Sequence, residues 1–539
     1  MLTKHTTSFL VSSVFVLSAC GGDGGESGAS TSSQLASVQA ESAVSTTLKT
    51  DPTCTIQYAV NDSPELSGPD PLLDRQWHLK NTGQKGGKLG EDINVEGAWK
   101  VSLGEGVRIA LVDDALETVH GDLKSNVVVG ASYNYRPAIK GSAFPLPCNK
   151  DEGHGTSVAG IIASRAANAF GTSGIAPKAQ LVGYNALSLD LTADIADALN
   201  RDLANNMIYH NSWGSPDNGE INESETEFNQ AITRGIREGR KGKGAIYVFP
   251  AGNGGCYTIV GSAGCQRDNS NFDGYVNKLG VIAVSAVDQF GRSPWYAENG
   301  ANILVSAPAG DSTAGITTTA IGNRFREDFA GTSASAPMVS GAIALMLSAN
   351  PQLSWRDVQI ILAKSARKND ANDLSWVGSF SHKYGFGVVD ANAAVQMAKN
   401  WLSVGGMSDI KTCTQSIKAA NASIPDGGQA IGSAISLAGC GISKVEHVSV
   451  TINATHEYSG DLEVILYSPN GTSSVLATPR KCGITDRKSN TCGDFTGWQF
   501  GSVRHMDEAA GGNWQLFVRD TESGKVGTLQ GWAITIYGR

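Results

Sequence analysis

A chain of 539 residues, 41% hydrophobic and 17% charged, is too long for one ordinary domain and carries ample apolar material for a large core. Its formal net charge of −9 argues against a nucleic-acid binder, because phosphates demand a basic footprint. The same charge suits a substrate that is itself positive.

At the N-terminus, Lys4 and His5 precede an apolar run, Phe9 to Leu17, too short to span a membrane as a folded helix. Residues 1–20 therefore read as a signal peptide. Leu17-Ser18-Ala19-Cys20 resembles the bacterial lipobox, which implies a lipid on Cys20 and an exported protein: an outer-membrane lipoprotein, periplasmic or secreted. Ordinary cleavage near Ala19 is the alternative. Residues 21–69 form a tether and N-terminal extension, and the Gly/Ser/Ala-rich part up to about Thr50 is too poor in large apolar residues to fold. Setting Cys20 aside, eight of the nine cysteines remain, an even number in an oxidising compartment. Short separations favour Cys256–Cys265 and Cys482–Cys492, with Cys413–Cys440 also plausible, which would leave Cys54 with Cys148. No cysteine or histidine spacing suggests a zinc site.

From about Asp70 to Trp401, short apolar runs alternate with longer helical stretches. Residues 106–112, 244–249 and 279–286 are apolar on both faces, as strands inside a parallel sheet must be. Helices are expected over Thr192–Asn205 and Glu225–Glu238. This is the βα alternation of a doubly wound α/β fold. After a linker at 402–412 the rhythm changes. His447–Thr455, Asp461–Tyr467, Asn513–Arg519 and Gln530–Tyr537 alternate with period two, and Ser468-Pro469-Asn470-Gly471 marks a turn. Residues 413–539 therefore read as a β-sandwich.

Three segments place polar residues where packing alone would not. Asp113 and Asp114 end a buried parallel strand, and ligands of open α/β sheets bind beyond such ends. His154 opens an apolar helical run in Gly153-His154-Gly155-Thr156-Ser157. Ser333 lies in Gly331-Thr332-Ser333-Ala334-Ser335-Ala336-Pro337, where a proline expected in the first turn puts the serine at a helix start. Serine needs an adjacent base to act as a nucleophile, and that base needs an acid to orient it. Asp113, His154 and Ser333, in that order, form a candidate catalytic triad. Asn253, in Gly252-Asn253-Gly254-Gly255 after a buried strand, is the candidate oxyanion donor.

These motifs resemble the subtilisin superfamily, and within it the kexin and furin branch. The resemblance extends through Ser212-Trp213-Gly214, Asp273-Gly274-Tyr275 and Leu353-Ser354-Trp355-Arg356-Asp357-Val358. It continues into the sandwich, where Ser459-Gly460-Asp461-Leu462, Ser468-Pro469-Asn470-Gly471-Thr472 and Gly512-Asn513-Trp514 resemble the branch's P domain. It implies a serine endopeptidase acting on proteins or peptides with basic residues before the scissile bond. Asp217 and Asp273, with Tyr275, fall in the primary pocket, and Asp114 and Asp151 in the next subsite. It also implies calcium at one site formed by Asp70, Asp122 and Asn168, with loop carbonyls near Arg165 and Thr172. Asp217, Asp268 and Glu298 would form a second site. The third acidic subsite has no clear match: Ala196 lies near that position, between Asp194 and Asp197. Residues 21–69 are too short and polar for a folded inhibitory propeptide, so a separate chaperone or inhibitor is expected. A broad-specificity subtilase, or an inactive lipid-tethered binding protein, are the alternative readings.

Overall fold

Six short strands fold into one parallel sheet, mostly apolar because the sheet is covered on both faces by helices. The computed structural model of the chain describes residues 51–58, 66–256, 265–482 and 492–539. The signal peptide, Cys20 and the tether to residue 50 lie outside the described residues. Strands β1 (Arg108–Val112), β2 (Gln180–Tyr184), β3 (Ile208–Asn211), β4 (Ile246–Pro250), β5 (Val281–Val287) and β6 (Ile303–Pro308) are ordered β2-β1-β3-β4-β5-β6. Every pairing in this sheet is parallel. Helices α1 (Glu96–Trp99), α2 (His154–Ala163), α3 (Thr192–Ala198), α4 (Thr226–Glu238), α5 (Thr332–Ala349), α6 (Trp355–Ser365) and α7 (Ala391–Lys399) complete this part of the chain. The longest, α5, is almost wholly buried. An antiparallel hairpin, β7 (Ile316–Ala320) and β8 (Arg324–Phe329), leads into it.

The second core is a sandwich of antiparallel sheets, β10-β15-β12-β13 and β14-β11-β16-β9. Its strands are β9 (Lys411–Ile424), β10 (Ile431–Ser436), β11 (Val445–His456), β12 (Leu462–Tyr467), β13 (Ser473–Ala477), β14 (Phe495–Ser502), β15 (Asn513–Asp520) and β16 (Gly527–Gly538). Trp514, Trp532 and Phe495 are buried between the sheets, as the period-two pattern requires. The two cores are joined by a buried ion pair, Arg356 of α6 to Glu446 of β11, in which both carboxylate oxygens accept (2.7 and 2.8 Å).

Two expectations need correction. The helix expected over Thr192–Asn205 ends at Ala198. Beyond it Asp202 takes φ 55° and pairs with Arg108, so a tertiary ion pair and a left-handed turn replace the last helical turns. Pro337 lies in the second turn of α5, since the helix begins at Thr332. All four disulfides form as expected, Cys54–Cys148, Cys256–Cys265, Cys413–Cys440 and Cys482–Cys492. The first anchors the N-terminal extension, where Tyr58 is buried against Leu146.

Candidate active site

The carboxyl end of β1 delivers Asp113, and the start of α2 delivers His154. Asp113 Oδ1 lies 2.9 Å from His154 Nδ1. This approach requires a glycine next door, because a Cβ on Gly155 would lie 2.2 Å from the Ala115 carbonyl and 2.9 Å from Asp113 Cβ. Burial pulls the His154 pKa down, but the charge and hydrogen bond of Asp113 and the charge of Asp114 outweigh it and hold it above the ordinary value. Phe329 of β8 packs its ring 5.4 Å from the imidazole.

Ser333 stands one residue into α5. Its hydroxyl donates to the Ser212 carbonyl (3.2 Å) and not to His154. Serine–base hydrogen bonds often tighten only when substrate arrives. Asn253 follows β4, and its Oδ1 accepts from both the amide and the hydroxyl of Thr332 (2.9 Å each). The acceptor end of that side chain is thereby anchored beside the serine, which leaves its NH2 as a donor.

The acids separate into different environments. Asp273 is half-buried; its carboxylate accepts from the amides of Ser215 and Tyr275 and from the Ser215 hydroxyl, while desolvation pushes its pKa up to about 6. Asp217, Asp268, Asp273 and Glu298 line one small cavity with Ser215 and Phe272. Asp114 turns its carboxylate onto the amides of Ala115, His154 and Gly155, so it caps the start of α2. Asp151 lies on the exposed loop before His154, paired with Lys150, and the structure does not join it to the other acids. Tyr275 stacks edge-on against Trp213 and Phe228 and donates to Glu225 (2.8 Å). Asp194 pairs with Lys140, and Asp197 with Tyr135 and Arg201, so both acids at the ambiguous subsite are already engaged.

Both expected calcium sets are brought together. Asp122 accepts from Asn168 and Thr172, and Asp70 accepts from the amides of Ala167 and Asn168 and the Ser173 hydroxyl. Burial pushes the Asp122 pKa up to about 7. In the second set, burial raises Asp217, Asp268 and Glu298, and Asp217 and Glu298 share a hydrogen bond. Among the described residues no three acidic, histidine or cysteine side chains close into a preformed metal cage. Yet carboxylates crowded this closely repel one another, a repulsion that a hard cation would relieve, and the donor set fits calcium. The glycines flanking Asn253 permit this cluster: a Cβ on Gly252 would lie 2.2 Å from Glu298, and one on Gly254 within 3.0 Å of Asp217, Asp268 and Glu298.

Several residues escaped sequence reasoning. Trp213 Nε1 donates to the Val112 carbonyl beside the dyad (2.9 Å). Arg480 of the sandwich lays its guanidinium 3.6 Å from the centre of the Phe272 ring and donates to the Gly219 carbonyl. No local signal ties Arg480 to Gly219, 261 residues earlier in the chain. His210 of β3 belongs to no motif that the sequence offers.

The profile of the subtilase family matches residues 104–387, and that of the proprotein convertase P domain matches 445–536. The chain belongs to the subtilase family. Among curated relatives of this subtilase, Protease KEX1 of Kluyveromyces lactis is 36% identical over 484 residues, covering 87% of this chain and 60% of the relative. Kexin of Saccharomyces cerevisiae is 34% identical, covering 88% and 57% respectively. Human proprotein convertase subtilisin/kexin type 7 is 35% identical, covering 87% and 60%. The subtilase therefore spans about 60% of the length of these relatives. A serine protease of Aeromonas sobria has a similar structure, with TM-score 0.78 and 28% identity over 89% of this chain and 97% of that one. The same protease is known in complex with a chaperone, again at TM-score 0.78, over 88% of this chain and 96% of that one.

Proposed function

We propose that this subtilase is an exported, calcium-stabilised serine endopeptidase that cleaves after Lys or Arg, paired basic residues included. The observation that carries the reading is the Asp113–His154 hydrogen bond, with Asn253 bracing Thr332 next to Ser333 and Asp273 half-buried next to the acid cluster.

In the proposed reaction Ser333 Oγ attacks the scissile carbonyl carbon while His154 Nε2 takes its proton. Asp113 stabilises the imidazolium and fixes the tautomer through Nδ1. The Asn253 NH2 and the backbone N–H at Ser333 hold the oxyanion of the tetrahedral adduct. Its collapse breaks the C–N bond, and His154 gives the proton to the departing amine. Water, deprotonated by His154, then releases the acyl group from Ser333. An arginine or lysine before the scissile bond would meet Asp273 in the pocket, its charge paired in a desolvated site. At the second subsite Asp114 accepts from the amides that open α2 and Asp151 is exposed, both still able to offer negative charge to a basic residue.

Calcium, where bound, supplies fixed positive charge to loops rather than chemistry. Asp217, Asp268 and Glu298 would hold one ion, and Asp70, Asp122 and Asn168 the other. Residues 70–401 form the proposed catalytic unit and 413–539 the P domain. The chaperone complex of the Aeromonas sobria protease supports the proposal that a separate chaperone assists this chain. Full activity from the chain refolded alone would defeat that part. Four disulfides support export, and the N-terminal motif supports a lipid on Cys20. A panel of fluorogenic peptides with paired basic or hydrophobic residues, run with and without chelator, tests the function. Preferred turnover of the basic peptides is expected, and equal turnover would leave a broad-specificity protease instead.

A further inference from the structure

Ser333 carries a backbone problem that the sequence creates and the fold solves. A helix carbonyl at position i accepts from the amide at i+4, and four residues after Ser333 stands Pro337, which has no N–H. The Ser333 carbonyl is therefore left without its helical donor. The Ser212 hydroxyl fills the gap, donating to that carbonyl at 3.1 Å. In return the Ser333 hydroxyl donates to the Ser212 carbonyl at 3.2 Å. Ser212 thus grips Ser333 by both its backbone and its hydroxyl.

Ser212 is itself held. His210, fully buried at the end of β3, places Nε2 at 2.8 Å from Ser212 Oγ and Nδ1 at 2.9 Å from Ser340 Oγ of α5. The single Ser212 hydroxyl proton is committed to the Ser333 carbonyl, so Ser212 Oγ accepts from His210, and the proton of His210 resides on Nε2. Nδ1 is then the acceptor for Ser340. Burial keeps the ring neutral, pulling its pKa down to about 3. This histidine spans the sheet strand and the helix that carries Ser333, with one defined tautomer.

We propose that His210 is a positioning residue for Ser333: its Nε2–H fixes the Ser212 hydroxyl, which replaces the amide missing at Pro337 and holds Ser333 in line for attack. The proposal rests on Ser333 being the nucleophile, and the test keeps the two apart. Glutamine places an amide NH2 near Nε2 of a histidine, whereas asparagine reaches only the Nδ1 position. The readouts are the rate at which phenylmethanesulfonyl fluoride labels Ser333, which needs no basic pocket, and kcat and KM on a peptide the native enzyme cleaves. His210→Gln should be labelled within about threefold of the native rate. His210→Asn should be slowed at least about tenfold, with kcat falling in parallel and KM unchanged, since small misplacements of reacting groups cost up to roughly 10² in rate. Ser212→Ala should match His210→Asn, and Ser340→Ala should stay near native. Calorimetry confirms that each variant is folded, and if neither His210 variant folds, the serine pair decides. Native-rate labelling of His210→Asn or Ser212→Ala overturns the clamp, as does equal slowing by Ser340→Ala. A native enzyme that is not labelled at all overturns the nucleophile itself, and the clamp with it.

Discussion

Removing Glu446 should loosen the sandwich from the catalytic core. The Arg356 side chain is 0% exposed and that of Glu446 7%, so the pair is shielded from water and salt. Without the carboxylate, Arg356 keeps only carbonyl contacts, all from Nη1, to Val404, Gly405 and Gly406 at 3.1 to 3.4 Å. Arg539 also loses a partner, at 3.0 Å, but retains Asp507. Stripping one member from a buried pair costs about 3–5 kcal/mol. At the ~2 °C per kcal/mol of the larger domains, Glu446→Ala should lower Tm by roughly 6–10 °C. The assay is scanning calorimetry at pH 7 with calcium held fixed. The double change Arg356→Met with Glu446→Leu should recover most of the loss, because a buried pair is often replaceable by apolar groups of similar volume. An unchanged melt for Glu446→Ala, or a double variant as unstable as the single one, would refute the reasoning.

Asn253→Ala should cut kcat by roughly 10²–10³ with little change in KM, subtilisin being the measured precedent for one lost oxyanion donor; a drop below tenfold would remove Asn253 from that role. Chelation should lower Tm, and Glu298→Gln should shrink that drop; a melt indifferent to chelator contradicts calcium binding. His78 is fully buried with neither ring nitrogen hydrogen-bonded, and burial pulls its pKa down to about 3. From about pH 6.5 downward the unfolded chain takes up a proton that the fold refuses, so the stability His78 leaves intact at neutral pH is lost on acidification. His78→Leu should therefore reduce the loss of urea-measured stability between pH 7 and pH 5 by about 2 kcal/mol, and an unaltered difference would sink the argument.

Three of the six parallel strands were legible because burial on both faces leaves a continuous apolar run, as in Val281–Val287, whereas Gln180–Tyr184 and Ile208–Asn211 carry polar residues that break such a run. Four of the eight sandwich strands were legible because one buried face imposes alternation, as in Leu462–Tyr467. The proposed catalytic residues stood out because Asp113, His154 and Ser333 interrupt apolar context at the ends of strands and the starts of helices. What stayed hidden depends on partners distant in sequence. Pro337 looks like a first-turn residue until Ser212 is seen to supply the donor its ring removes. The end of α3 at Ala198 rests partly on Arg201 stacking over Tyr133 (3.5 Å) and on Asp202 reaching Arg108. The family resemblance places Asp114 in a subsite, and only the fold shows that its carboxylate accepts from the amides of α2.

The central claim is that Asp273, half-buried beside Asp217, Asp268 and Glu298, selects a basic residue before the scissile bond. The most direct measurement is mass-spectrometric mapping of every cut made in an unstructured polypeptide of mixed sequence, alongside the Ser333→Ala protein. Cuts concentrated after Lys and Arg, and absent with Ser333→Ala, are the predicted result. Cuts spread over hydrophobic residues, or surviving the loss of Ser333, would contradict it.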